Sequence, residues 1–234
     1  MLRSLIREIS SEQLPTAAPA KPQQKGKIWL AGRDISLDMD IGFHAWIIVR
    51  HPEDPKGTLR TYSGKSGVGF EMGVATAALR KMFTGAARDE RADQVVNALR
   101  NVQKFKNDTA AYQAAMEDTT WGPLLKLKNW DADAIGKADE IFELVPLAAP
   151  GVTDDQILRA CNQIEAAFIN YAQDVPYDPV PQLSSNKSTR NSNSFAFTLM
   201  KLISPNRSLQ PGNFSTDKYP GWGFVVPGLQ APPG

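Results

Sequence analysis

The segment that most constrains the fold is residues 191–203, where small polar residues lead directly into an apolar stretch. The Asn and Ser residues at 191–194 can each cap a helix with a side-chain acceptor. The apolar residues that follow recur at helical spacing: Phe195, Leu199, Leu202 and Ile203. We therefore predict that a helix begins here, with unpaired N–H groups and the positive end of the helix dipole at its first turn.

Ser192 falls in that first turn and is our candidate nucleophile. A hydroxyl at this position stands beside backbone donors that could also stabilise an oxyanion. A plain helix cap explains the same run of Asn and Ser residues, and this segment alone leaves both interpretations open.

Composition narrows the classes of function. The chain has 234 residues, 42% of them hydrophobic and 22% charged, which is enough to bury the core of one large domain or two small ones. The formal net charge is only +1 and no dense basic patch is visible, so we expect no nucleic-acid partner. A single cysteine, Cys161, excludes an internal disulfide, and His44 and His51 are too few for a histidine-rich metal centre.

Cofactor and membrane signals are missing from the sequence. The glycine-rich residues 64–73 lack the spacing of a phosphate-binding loop, and we expect no metal and no cofactor.

No stretch is long and apolar enough to span a bilayer, and the N-terminus lacks the continuous apolar core of a signal peptide. We expect a cytoplasmic protein, or one exported without a conventional signal peptide. The sequence leaves the oligomeric state open.

Hydrophobic patterning predicts an α+β fold with an antiparallel sheet packed against helices. Apolar and β-branched runs predict strands at 28–31, 42–50, 58–63 and 140–147. Thr153 opens a predicted amphipathic helix whose apolar stripe includes Cys161, so we expect this thiol to be structural. Residues 121–130 are apolar and rich in turn residues.

The predicted domain organisation is simple. Residues 1–26 are rich in Pro, Ala, Gln and Lys where they approach the first strand, and we predict a flexible N-terminal segment. Residues 27–234 would form one α+β domain. We predict a helical insertion at about residues 74–116 and an irregular C-terminal tail at about 206–234, packed by its aromatic residues.

His44 lies in an apolar predicted strand, between Phe43 and Ala45. A lone histidine in such a strand is commonly a core or edge residue. It gains a chemical role if its strand end lies beside the helix headed by Ser192, because a serine hydroxyl needs a general base before it can attack. His51 sits in a turn among prolines and acidic residues, and we expect it to be exposed and non-catalytic.

Two motifs, in this order, resemble the circularly permuted papain-like hydrolases, including the lecithin:retinol acyltransferase-like and PPPDE-peptidase-like groups. They are residues 42–49 and the later set formed by Tyr177, Asp178, Pro179, residues 191–195 and Leu199. In that superfamily a histidine on an early strand is the base, and an Asn-Cys-x-x-Phe motif that opens a helix carries the nucleophile. The resemblance implies that His44 is the base and that Ser192 occupies the place of the cysteine. It also implies a third polar residue on the strand after the histidine, for which Thr61 and Ser63 are the nearest candidates.

Three functions follow as hypotheses. In the first, the protein is a hydrolase or acyltransferase of amide, ester or thioester bonds, in which Ser192 attacks, His44 carries the proton and first-turn N–H groups hold the oxyanion. Its partner would be a peptide-, amide- or acyl-containing substrate. In the second, the papain-like domain has lost its nucleophile and is a catalytically inactive binding module. In the third, which rests on the missing signal peptide and the predicted flexible N-terminus, it is a bacterial effector that attacks an envelope amide or lipid.

Overall fold

The computed structural model describes residues 26–34, 42–67, 97, 100–101, 104–105, 107–117, 121–130, 133–144, 152–204 and 213–230. Five strands are present in this part of the chain: β1 (Lys27–Asp34), β2 (Phe43–Arg50), β3 (Leu59–Ser66), β4 (Leu124–Lys128) and β5 (Glu140–Glu143). The same residues include three α-helices: α1 (Thr109–Met116), α2 (Asp154–Asn170) and α3 (Ser192–Ile203).

The strands form one sheet in the order β4-β3-β2-β1-β5, and every neighbouring pair is antiparallel. Helices α2 and α3 pack against the same face of this sheet, and α3 lies over β2 and β3. The predicted α+β class with an antiparallel sheet is therefore confirmed.

Side-chain alternation along β2 explains why both faces of the sheet are covered. Ala45, Ile47 and Val49 join the main core with α2 and α3, whereas Trp46 and Ile48 belong to a separate buried cluster. Successive residues of a strand point to opposite faces, so Trp46 and Ile48 lie on the face away from the helices. Because β4 and β5 are at opposite edges, the segment between them must cross this second face, and its Ala138 packs there.

The two long helices begin where capping chemistry predicts. Thr153 accepts a hydrogen bond from the backbone N–H of Gln156, whose side chain reaches back to the N–H of Thr153. This capping box satisfies donors that the first turn would otherwise leave unpaired. Asn191 and Ser194 form the equivalent box at α3, so Asn191 is the N-cap and Ser192 is the first helical residue.

The structure adds one strand and extends another. Residues 121–130, which are apolar and rich in turn residues, contain strand β4. Its residues pair with Tyr62–Ser66 of β3, a long-range contact that the neighbouring Gly122 and Pro123 obscure in the sequence. Strand β3 also continues through Gly64 to Ser66, beyond its predicted end at residue 63.

Several predictions lie largely outside the described residues. Almost all of the N-terminal segment 1–26 and most of the insertion 74–116 are outside them, although α1 falls at the end of that insertion. In the part of the tail that is described, Phe214, Tyr219 and Trp222 pack on one another and on the core. The domain boundaries remain predictions. Within the described ranges, no helix has the length and apolar character needed to cross a membrane.

Cys161 lies on α2 with only 3% of its surface exposed. Burial raises the pKa of its thiol to about 12. Because the thiolate is the reactive form, we expect no reaction with a disulfide reagent such as DTNB at pH ~8 in the native protein, and complete reaction after unfolding. Rapid labelling of Cys161 in the native state would contradict this structural role.

Candidate functional site

The first turn of α3 is polar and buried. Residues 191–194 are all buried, and Ser192 retains 5% exposure. The backbone N–H of Ser194 donates to Asn191 Oδ1 at 3.0 Å, and the N–H of Asn191 donates to Ser194 Oγ at 3.4 Å. Among the described residues, no acceptor takes the backbone N–H of Ser192 or Asn193. These two donors are therefore available to an anion at the helix start.

Asn193 joins this helix start to strand β2. Its Oδ1 accepts a hydrogen bond from the Ala45 backbone N–H at 2.8 Å, and its Nδ2 donates to the Phe43 carbonyl at 2.8 Å. The same Nδ2 also donates to the Pro220 carbonyl at 3.0 Å. Phe43 and Ala45 flank His44, so the carboxamide fixes α3 against the strand at the position of the histidine.

Strand β2 is open to this contact because β3 pairs with only part of it. The ladder joins Ile47–Arg50 to Leu59–Tyr62, whereas β3 pairs with β4 along the rest of its length. The carboxamide of Asn193 thus bonds to β2 at a stretch for which no pairing with β3 is present. The start of α3 lies where the two strands separate.

His44 is paired with a buried carboxylate on the second face of the sheet. Its Nε2 lies 2.9 Å from Asp133 Oδ1, and the Ser63 hydroxyl donates to Asp133 Oδ2 at 2.5 Å. The side chains of His44 and Asp133 are 8% and 0% exposed. A carboxylate can only accept hydrogen bonds, so the proton of a neutral His44 is held on Nε2. Nδ1 then carries the lone pair that a general base requires.

Aromatic rings enclose this imidazole. Trp46 stacks on it with ring centroids 5.5 Å apart, and Trp130 meets it edge-on at 6.3 Å. These rings exclude water from the pair, which strengthens the hydrogen bond between His44 and Asp133 in a less polar environment.

The histidine and the helix occupy different faces of the sheet. His44 shares its face with Trp46, whereas α3 packs on the face that carries Ala45. The start of α3 reaches the backbone of β2 where β2 and β3 separate.

The Ser192 hydroxyl has a phenolic neighbour, Tyr177. Burial, followed by the nearby Asp178 carboxylate, raises the pKa of Tyr177, and a hydrogen bond with Ser192 acts in the opposite direction. Tyr177 is itself positioned by its backbone N–H, which donates to the Gly122 carbonyl at 2.9 Å.

Asp133 was missed in the sequence, where Thr61 and Ser63 were the expected third polar residues. Ser63 does take part, but it acts on Asp133 rather than on His44. The Thr61 hydroxyl has no hydrogen-bond partner in the part of the chain that is described. Asp133 comes from the segment between β4 and β5, and its place became predictable only once both strands were known to lie at opposite edges of the sheet.

Gly221 allows the C-terminal segment to approach the start of α3. The residue has a φ of +79°, and a Cβ placed on it would lie 2.7 Å from Asn191 Oδ1. Its carbonyl accepts from Ser194 Oγ at 3.0 Å, and Asn191 Nδ2 donates to the Pro220 carbonyl at 2.7 Å. A residue with a side chain would be strained here and would displace the cap.

Comparison with protein-family models, with curated proteins and with solved structures finds no match to this chain.

Proposed function

We propose that the protein is a hydrolase or acyltransferase that acts on amide, ester or thioester bonds through Ser192 and His44, on a permuted papain-like arrangement. The observation that carries the proposal is the pair of hydrogen bonds by which Asn193 joins the start of α3 to the backbone on both sides of His44. The bond to Ala45 spans 148 positions of sequence, so the fold brings together two segments that are remote along the chain.

The acid–base chemistry belongs to His44 and Asp133. With Nε2–H directed at Asp133, the free Nδ1 can take the proton of the Ser192 hydroxyl. Asp133 then stabilises the imidazolium that forms, and Ser63 holds the carboxylate in place. Asp133 is the positioning residue in this scheme.

Acylation of Ser192 needs no reactant besides the substrate, and the second half-reaction needs water or an acceptor. As Ser192 Oγ bonds to the substrate carbonyl carbon, its proton passes to His44, and the oxyanion is held by the N–H groups of Ser192 and Asn193. Collapse of this intermediate breaks the bond to the leaving amine, alcohol or thiol, which takes the proton from His44. Water, or an acceptor alcohol or amine, then gives a proton to His44 as it attacks the acyl-serine. His44 returns that proton to Ser192 Oγ as the acyl bond breaks, which regenerates the hydroxyl.

A second candidate function is a papain-like binding module without turnover. The burial of Ser192 and its hydrogen bond with Tyr177 favour this candidate, since both restrain the hydroxyl. A serine is also a weaker nucleophile than the cysteine of the superfamily that the sequence resembles.

A fluorophosphonate probe distinguishes the two candidates. We expect covalent labelling of the wild-type protein, located at Ser192 by mass spectrometry and abolished in Ser192→Ala. Ser188→Ala is the matched control, because Ser188 is an exposed residue of the preceding loop and its replacement should leave labelling unchanged. An unlabelled wild-type protein that also leaves peptide, lipid and peptidoglycan substrates intact would overturn the hydrolase proposal in favour of the binding module.

A further inference from the structure

A cavity of about 460 Å³ lies beside the candidate site. Tyr177, the hydrogen-bond neighbour of Ser192, forms part of its wall. Helix α1, Trp121 and residues of the loop 184–189 line the remainder. Its volume falls in the range of about 300–1,000 Å³ that small-ligand sites occupy.

Asp178 supplies a buried carboxylate to this cavity, with 7% of its surface exposed. Its Oδ1 accepts both the Tyr112 hydroxyl at 2.6 Å and the Val180 backbone N–H at 2.8 Å. Within the described residues, Oδ2 takes no hydrogen bond and makes no ion pair. Oδ2 is also not one of the fully buried polar atoms that lack a partner, so it keeps accessible surface on a residue that lines the cavity. It can therefore pair with a bound cation or donor.

Among the described residues that line the cavity, the charged side chains are all acidic. They are Asp178 and Glu117, and none of these described lining residues is Lys, Arg or His. The neighbouring basic groups are directed elsewhere: Lys187 Nζ donates to the Ser184 carbonyl at 2.8 Å, and the Arg190 guanidinium donates to carbonyls of Lys187, Thr189 and Val225. The field inside therefore favours a positive group and disfavours a carboxylate.

We propose that this cavity binds a primary alkylammonium group of the substrate, such as a lysine side chain, with Asp178 Oδ2 as its counter-ion. Trp121, Tyr112 and Tyr177 supply aromatic walls that suit both the alkyl chain and the cationic head. The inference rests on the proposed function for the identity of the acyl substrate, because Tyr177 links the cavity to Ser192. The ammonium preference itself rests on the cavity.

The test measures binding apart from turnover, in the full chain carrying Ser192→Ala. Calorimetric titration compares Nα-acetyl-lysine amide with Nα-acetyl-norleucine amide, which lacks the ammonium group but keeps the alkyl chain. We expect the lysine probe to bind at least 10-fold more tightly. Adding Asp178→Asn should remove that preference, since asparagine keeps the Oδ1 acceptor for Tyr112 and Val180 but carries no charge. Glu143→Gln is the matched control for loss of a carboxylate. Glu143 lies at the end of β5, pairs with Lys27 of β1 and does not line the cavity.

Equal affinity for the two probes, no binding of either at millimolar concentration, or an unchanged preference in Asp178→Asn would each overturn the ammonium site. These binding results do not decide whether the protein is a hydrolase, which the labelling of Ser192 tests. Labelled Ser192 without lysine preference would mean a hydrolase of other specificity, whereas lysine preference without labelling would mean an ammonium-binding module.

Discussion

Replacing Asp133 by asparagine lowers the second-order rate of fluorophosphonate labelling at Ser192 by about 100-fold or more, if the proposed mechanism holds. Asparagine can still accept the hydrogen bond from His44 Nε2 but carries no charge to stabilise the imidazolium. His44→Ala removes the base itself and should reduce labelling to the rate of an ordinary serine hydroxyl.

Two matched controls separate this effect from general damage to the fold. Asp139→Asn changes an exposed carboxylate of the same crossing segment, and His51→Gln removes the other histidine of the chain. Both should label at the wild-type rate. The urea midpoint of each variant shows whether it is folded. A folded Asp133→Asn protein that labels as fast as wild type would show that the carboxylate has no part in the chemistry.

The second large effect is on stability, from Asn193→Ala. Alanine leaves the Ala45 N–H and the Phe43 carbonyl without the side-chain partner that they have in the fold. The Pro220 carbonyl loses one of two partners and keeps the bond from Asn191 Nδ2. Each buried polar group that loses its partner costs about 1–3 kcal/mol. We expect the free energy of unfolding to fall by about 2–4 kcal/mol, which urea titration measures.

Asn170→Ala is the matched control for this substitution, because Asn170 is exposed at the end of α2. Its expected effect is within about 0.5 kcal/mol of zero. The loss of unfolding free energy in Asn193→Asp should lie between the losses in these two variants. Aspartate keeps the acceptor for the Ala45 N–H but has no donor for the carbonyls of Phe43 and Pro220. A loss in Asn193→Ala no larger than that in Asn170→Ala would mean that the link between α3 and β2 contributes little.

Local signals predicted the long elements of the fold well. Thr153 and the residues at 191–194 predicted where α2 and α3 begin, because a cap is a property of a few consecutive residues. The β-branched and aromatic run of β2 likewise predicted a strand. Strand β4 escaped prediction because its pairing with β3 is a tertiary interaction between remote segments.

The candidate site was predictable only in part. His44 and Ser192 stand in patterns that could be read from the sequence, but the residues that connect them could not. In the sequence, Asn193 cannot be distinguished from the capping residues beside it. In the structure its carboxamide bonds to β2 rather than to the helix. Asp133 reaches His44 only because β4 and β5 lie at opposite edges of the sheet, which no local pattern encodes.

The most direct measurement is a crystal structure of the protein after reaction with a phosphonate probe. Our account predicts a phosphorus atom bonded to Ser192 Oγ, with His44 Nδ1 at a hydrogen-bonding distance of about 2.6–3.2 Å from an oxygen of the adduct. An unmodified Ser192, or an imidazole beyond hydrogen-bonding distance of the adduct, would contradict it.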